Sequence, residues 1–316
     1  MGKTRIFFAT DLHGSERCFR KFVSAGKFYN ANVLIVGGDV TGKMIVPIVN
    51  RPDGSFTAEL FGVKRLVKQE KDLLALEDDI RNSGFYPYRT DPEEMKLLAD
   101  ETRIDELFSR VMVETLERWV RLAEKHLRNT GVKCFIMPGN DDRLVVDHVI
   151  EESDFVVNPE GKVVCIDEYH DMISTGYANI TPFGCPRDIP EGELAKKIEA
   201  MASQVRDMRN CIFNFHCPPY DTQLDPAPKL DQNLKPVVSA GNVVMCPAGS
   251  SSVRSAIQKY QPLLGLHGHI HESRGIFRIG RTICLNPGSE YTEGYLRGAI
   301  VNLDRGKVES YTLTSG

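Results

Sequence analysis

Apolar runs recur along the chain, and each stops at a polar residue. "TRIFFAT" leads into Asp11, "ANVLIVGG" into Asp39, "VKCFIMPG" into Asn140, "CIFNF" into His216 and "PLLGLHG" into His269. Short runs rich in β-branched and aromatic residues predict strands buried on both faces. Other stretches carry a helical period. "SERCFRKFVSAGKFY" begins at a serine and spaces Phe19, Phe22 and Val23 as one helix face, which predicts a crossover helix. "GSSSVRSAIQKYQP" opens with serines and stops before Pro262, which predicts a second short helix. Strands alternating with helices predict an α/β fold.

One interval is too long for a simple crossover. Between Lys43 and Val132, about ninety residues separate two expected strands. "MIVPIVNRPDGSFTAELFG" predicts a hairpin around Pro52, Asp53 and Gly54. In "RIDELFSRVMVETLERWVRLAEKHL", Ile104, Leu107, Phe108, Val111, Trp119 and Leu122 lie near a 3.6-residue period. That stripe reads either as ordinary core packed on the body or as a cap over a site or a dimer face, a route to homo-oligomers. There is no long linker, repeat or low-complexity tract. The expectation is a single domain over residues 1–316 with an inserted hairpin and helical subdomain at about 43–131.

In α/β sheets, ligands bind outside the carboxyl ends of strands. Five such ends carrying Asp, Asn and His point to one site. Its candidates are Asp11 and His13 in "DLHG", Asp39 in "GGDVTG", Asn140 in "PGNDD", His216 in "FHCPP", and His269 and His271 in "GHIH". In an extended "LHGHIHES", alternate residues share a face, and Gly268 lets the backbone approach a site closely. His126, His148 and His170 match no motif and are read as structural or surface residues. Two carboxylates, four imidazoles and an amide suit manganese, iron, zinc or a similar ion. Seven ligands crowd one ion but serve two that share a bridging carboxylate. Two such ions, about 3.5–4 Å apart, clamp the attacking and leaving oxygens of a phosphoryl displacement, and a hydroxide between them is a nucleophile at neutral pH.

These residues resemble the calcineurin-like metallophosphoesterase superfamily, whose pattern runs D-x-H, G-D, G-N-H-[DE], an isolated His, then G-H-x-H. All five pieces stand here in order between Asp11 and His271. The resemblance implies a four-layer α/β/β/α sandwich of two mostly mixed sheets. It implies that Asp11, His13 and His271 hold one divalent ion, that Asn140, His216 and His269 hold a second, and that Asp39 bridges both. His267 faces the other way in an extended strand and receives no role. The chain departs from the pattern at one place: Asp141 stands where the family commonly has a histidine that contacts phosphate and helps the leaving group depart. Asp142 matches the acidic residue that follows and is expected to orient the site, and Arg143 is placed to reach a phosphate. Asn286 and Ser289 in "NPGSE" are expected near the ions. Arg254 and the serines of "GSSS" offer either an anion site or a simple helix cap.

Composition narrows the choice of substrate. The chain is 41% hydrophobic and 26% charged, ordinary for a globular protein. Its net charge of −4, from 39 basic and 43 acidic residues, announces no nucleic-acid surface. "KRLVKQEK" is the one compact basic stretch. A small-molecule phosphoester is therefore expected over nucleic acid. Eight cysteines form no C-x-x-C pair, and no apolar run approaches the roughly 18 residues that span a bilayer. With no secretory h-region either, a cytoplasmic protein without membrane partners is expected. The expected activity is a metal-dependent phosphodiesterase, with a nuclease, a phosphomonoesterase or a non-catalytic interaction module as alternatives. Position 141 supports the diester, because an ionised aspartate only accepts hydrogen bonds and repels a dianionic monoester more than a monoanionic diester.

Overall fold

The first strand, β1 (Thr4–Ala9), is apolar on both faces. Ile6 and Phe8 enter one buried cluster, and Phe7 and Ala9 enter another. Such a strand needs cover above and below. The computed structural model, which describes residues 3–316, supplies it with a second sheet on one side and helices on the other. The chain continues through α1 (Glu16–Phe28), β2 (Val33–Gly37), β3 (Ile45–Asn50), β4 (Phe56–Leu60), β5 (Val63–Val67), α2 (Glu70–Asn82), β6 (Tyr86–Thr90), α3 (Pro92–Leu97) and α4 (Glu101–Leu127). Next come β7 (Lys133–Met137), α5 (Val145–Glu151), β8 (Val156–Val157), β9 (Val163–Cys165), β10 (Asp171–Thr175) and α6 (Glu191–Ala202). Then follow β11 (Cys211–Phe215), α7 (Ser251–Tyr260), β12 (Leu264–Leu266), β13 (Gly275–Ile279), β14 (Thr282–Asn286), β15 (Arg297–Asp304) and β16 (Lys307–Ser315), with a few shorter pairings in the loops.

Two six-stranded sheets result, in the orders β16-β15-β1-β2-β7-β8 and β13-β14-β12-β11-β10-β9. Both are mixed. β1, β2, β7 and β8 run parallel, as do β10, β11, β12 and β14, with antiparallel strands at the margins. Ile6, Phe8, Ile35, Phe135, Met172, Ile212, Leu264 and Leu285 fill the space between the sheets. Helices α1, α4 and α5 cover the outer face of the first sheet, and α6 and α7 cover that of the second. This is the expected α/β/β/α sandwich. The parallel strands of each sheet end along one edge, which brings the five motif loops together. Among the described residues, no helix is long and apolar enough to cross a membrane.

The stretch expected as one insertion divides in two. The hairpin forms as β3 and β4, paired at Val49–Thr57 and Asn50–Phe56, and grows into a sheet of order β5-β4-β3-β6. With α2 it encloses its own small core of Val46, Ile48, Ala58, Leu60, Leu73, Leu76 and Ile80. Helix α4 instead belongs to the body. Its buried face is Leu107, Met112, Leu116, Trp119, Val120, Ala123 and Leu127, whereas Ile104, Val111 and Leu122 are only half buried. Trp119 stacks on Phe19 of α1 at 4.2 Å between ring centroids and donates its indole N–H to Glu16 at 2.6 Å. A fully buried side chain of this kind contributes about 1.5–3 kcal/mol. The buried part of the stripe is therefore core, packed on α1 and the first sheet. The basic stretch, residues 64–71, runs from the exposed β5 into the first turn of α2, and its Arg65 is paired with Asp79 at 2.6 Å.

Candidate metal centre

The loops after β1 and β2 are zipped together by their backbones. Asp11 N–H donates to Gly38 O, His13 N–H to Asp39 O and Gly14 N–H to Val40 O, each at 2.9 Å. This pairing holds Asp11, His13 and Asp39 at φ of 54°, 41° and 49°, in the left-handed region, and His269 joins them at 68°. Such backbone costs about 1–3 kcal/mol per non-glycine residue and persists only where the surroundings over-determine it. The surroundings do so here. Ser289 Oγ donates to Asp11 O at 2.7 Å, and Asn286 Nδ2 donates to Gly268 O at 3.2 Å and Ile270 O at 3.0 Å. Both late-loop residues thus brace the motif loops through backbone oxygens. A Cβ on Gly268 would fall on Thr10 and Asp11, and one on Gly38 would fall on the His216 ring.

Six of the seven predicted side chains meet at this edge, and the loop of the seventh, Asn140, is tied to them by the Asp141 N–H on Asp39. His13 Nε2 lies 3.0 Å from His271 Nε2 and 3.5 Å from Asp39 Oδ2. His271 Nε2 lies 3.3 Å from Asp11 Oδ1. His216 Nε2 lies 3.4 Å from Asp39 Oδ2 and 3.8 Å from Asp11 Oδ1. The donor atoms of Asp11, His13 and His271 lie within 4.8 Å of one another, as do those of Asp39, His216 and His269. Asp39 Oδ2 faces a histidine of each group. The described residues hold a third such group, His13, Asp39 and Asp141.

The donor set fits divalent cations. His216 Nδ1 bonds Gly37 O at 2.9 Å, which leaves Nε2 buried without a hydrogen-bond partner. Asn140 donates its amide nitrogen to Asp188 at 2.9 Å, which leaves Oδ1 in the same condition. Buried polar atoms without partners are uncommon, and a bound ion is one way to satisfy them. The two facing Nε2 atoms of His13 and His271 also need a shared cation or proton between them. Burial pushes His13 down to about 3, and burial together with His216 pushes His269 down to about 4, so both imidazoles are neutral with a lone pair free. Burial works against ionisation of Asp11 and Asp39, but His216 beside both outweighs it and holds them well below the usual carboxylate range. Burial opposes charge on His216 as well, yet Asp39 and Asp11 raise it to about 10. The two carboxylates therefore create a field that favours positive charge between them.

The remaining candidates divide. Asp141 is at the site, with Oδ2 3.9 Å from His13 Nδ1, and its backbone N–H donates to Asp39 at 3.0 Å. Asp142 is fully buried and accepts from Gly139 N at 2.7 Å, Val40 N at 2.9 Å and Thr41 N at 2.8 Å. It clamps the "GGDVTG" loop to the "PGNDD" loop and is closed off from any substrate. Burial and the Asp39 charge push it up to about 6. The expectation that Arg143 reaches a phosphate is corrected. Its guanidinium turns back onto α4, bonding Asp105 at 2.5 Å and Ser109 at 2.6 Å over the Phe108 ring. The anion site at "GSSS" is likewise filled from within. Glu191 accepts from Ser250 Oγ, Ser251 N and Ser252 N, while Arg254 donates to Tyr220 O and Asp221 O. His267 turns away and bonds Phe215 O at 2.8 Å, His170 pairs with Asp167, and His126 and His148 are exposed.

Three neighbours carried no sequence signal. Lys43 lies 3.0 Å from Asp141, the Tyr291 ring packs on His13 at 4.8 Å, and Asp188 holds Asn140. Lys43 directly follows "GGDVTG" and Tyr291 directly follows "NPGSE", whereas Asp188 stands beside no motif.

Comparison with known proteins agrees with this architecture. No family model matches the chain. The uncharacterized protein MJ1162 of Methanocaldococcus jannaschii is 30% identical over 178 residues, covering 55% of this chain and 70% of that one. The crystal structure of TT1561 of Thermus thermophilus overlays with a TM-score of 0.53 at 13% identity, over 100% of this chain and 99% of the other. A further crystal structure gives a TM-score of 0.59 at 16% identity over 99% of both chains. At these identities the two solved structures share a fold with this chain.

Proposed function

We propose that the chain is a calcineurin-like metallophosphoesterase, and within that family a phosphodiesterase dependent on two divalent ions. The observation that carries this reading is the meeting of Asp11, His13, Asp39, His216, His269 and His271 in two interlocking groups, with Asn140 Oδ1 buried and unpartnered on the loop whose Asp141 N–H bonds Asp39. Asp11, His13 and His271 would hold one ion, Asn140, His216 and His269 the other, and Asp39 would touch both. Manganese, iron and zinc all suit this mixture of nitrogen and oxygen donors. Bound ions supply Lewis acidity toward the phosphoryl group and acidify the water that attacks it.

The protein's own side chains supply the rest. Ser289, Asn286 and Asp142 fix the loops that carry the ligands. Tyr291 walls the His13 side. Hydrolysis adds one water across the P–O bond: phosphorus keeps the hydroxyl and the departing oxygen takes the proton. The preference for diesters rests on position 141. Where a histidine would bring a cation, Asp141 and Lys43 form a pair that is neutral as a unit. A diester carries one negative charge near pH 7 and a monoester close to two, so the diester is the better match. A small-molecule ester is favoured over nucleic acid, and a cytoplasmic setting is proposed with it.

The test is a screen of metal-reconstituted protein against phosphomonoesters, linear diesters, cyclic nucleotides and nucleic acids. Hydrolysis of diesters that stops on chelation and returns with manganese is expected. Full activity in metal-free protein, or a preference for monoesters, would overturn the reading.

A further inference from the structure

We propose that Lys43 is the residue that touches the substrate's phosphoryl group, and that Asp141 positions it and sets the charge it can accept. This rests on the phosphoesterase reading above and deepens it. Lys43 Nζ lies 3.0 Å from Asp141 Oδ2, and the same oxygen lies 3.9 Å from His13 Nδ1. The ammonium is thus one carboxylate away from the proposed ligands, on the open side of the site, with its side chain 44% exposed. Its placement is built from below. Asp142 holds Val40 and Thr41 by their N–H groups, and Tyr86 accepts from Gly42 N–H at 2.7 Å. The loop that delivers Asp39 on one side therefore delivers Lys43 on the other. Two arginines are held elsewhere, Arg143 by Asp105 and Arg297 by Glu290 at 2.6 Å.

The chemistry follows from the pair. An ammonium offers three donors to a phosphoryl oxygen as a point charge. A carboxylate beside it offsets part of that charge and anchors a flexible stem. The unit is suited to one negative charge on the incoming group and is less suited to two. Lys43 and Asp141 together do the work of the histidine found at this place in the resembled pattern, with the donor on one loop and its anchor on another.

The experiment compares Lys43→Met and Asp141→Asn with the parent, all metal-loaded. It reads metal content, inorganic phosphate binding by calorimetry, and kcat and KM on matched mono- and diesters. Lys43→Met should keep both ions and bind phosphate at least about tenfold more weakly, as expected for loss of a charged hydrogen bond. Asp141→Asn should keep both ions and shift the diester-to-monoester ratio of kcat/KM several-fold toward the monoester. Phosphate affinity unchanged in Lys43→Met, an unchanged ratio in Asp141→Asn, or loss of an ion in either variant would overturn the assignment. If the parent hydrolyses no ester, the phosphoesterase reading fails, and phosphate binding still decides Lys43 by itself. A parent that binds no phosphate sinks both.

Discussion

Asp188 Oδ1 accepts a hydrogen bond from Asn140 Nδ2 at 2.9 Å, and this contact decides which way the Asn140 amide faces. An amide held by its nitrogen presents its oxygen on the opposite side, where Oδ1 is buried and without a hydrogen-bond partner. Asp188 is itself fixed, because its other oxygen accepts from Thr181 N, Thr181 Oγ1 and Cys185 N. Removing it frees the amide to flip. Asp188→Ala should weaken the ion assigned to Asn140, His216 and His269 by about 10- to 100-fold and leave the other ion unaffected. Competition with a fluorescent chelator measures this, and unchanged affinity for both ions would refute it.

Asp39 and His271 should differ in what they lose. Asp39 Oδ2 faces His13 at 3.5 Å and His216 at 3.4 Å, one histidine from each proposed set. Asp39→Asn keeps the shape and removes the charge, so affinity should fall for both ions. His271→Ala should chiefly empty the site it shares with Asp11 and His13. Elemental analysis after desalting checks both, and two tightly held ions in Asp39→Asn would contradict the bridging role.

Metal loading should stabilise the fold. Ions that bind only the folded chain add about 2.7 kcal/mol per site at a concentration of 100 Kd. The Tm should rise on adding manganese and fall with chelator, more in the parent than in Asp39→Asn. An identical Tm with and without metal would argue against tight sites.

Gly268 stands where a Cβ would collide with Thr10 and Asp11. The adjacent His269 is already at φ 68°, so the loop has little room to yield. Gly268→Ala should cost about 1–3 kcal/mol of stability, as overpacking does, and should lower metal affinity by displacing Asp11. Denaturant unfolding with and without metal reads both effects. A variant with parental stability and metal content would show that the loop relaxes freely.

Acid stability should depend on Asp167, far from the metal centre. Partial burial works against its ionisation, but hydrogen bonds from His170 and Thr4 and from the N–H groups of Tyr169 and His170 outweigh it and lower its pKa. A carboxylate lowered on folding contributes stability above its unfolded value of about 3.9, and loses it as pH falls through that value toward the folded one. In chelator, Asp167→Asn should lower Tm at pH 7 and flatten the fall of Tm between pH 5 and 3.5. A parallel pair of Tm curves would remove Asp167 from the account.

The body of the fold was legible because its strands are short apolar runs and its helices carry clean periods. "TRIFFAT", "ANVLIVGG" and "CIFNF" became β1, β2 and β11, and α1 and α7 begin after the serines that mark them. The α4 stripe was less legible. Phe108 and Val111 fit a period but ended half buried, while Met112 and Ala123 went to the core. Which arc of an amphipathic helix is buried depends on the surface it meets, here Phe19 and the first sheet, and that surface lies about a hundred residues away in sequence.

The motifs alone determined which residue types gather at the strand ends, because every parallel strand of a sheet delivers its following loop to the same edge. They named Asp11, His13, Asp39, Asn140, His216, His269 and His271 without the structure. Only the tertiary structure decided how the polar groups around them pair. It turned Arg143 onto Asp105, closed the α7 N-terminus with Glu191, buried Asp142 as a clamp, and brought Lys43 and Asp188 to partners 98 and 48 residues away. A hydrogen bond or an ion pair is made in space by whichever group arrives within about 3 Å. Periodicity records which face a residue takes; it holds no record of the loop that will lie opposite.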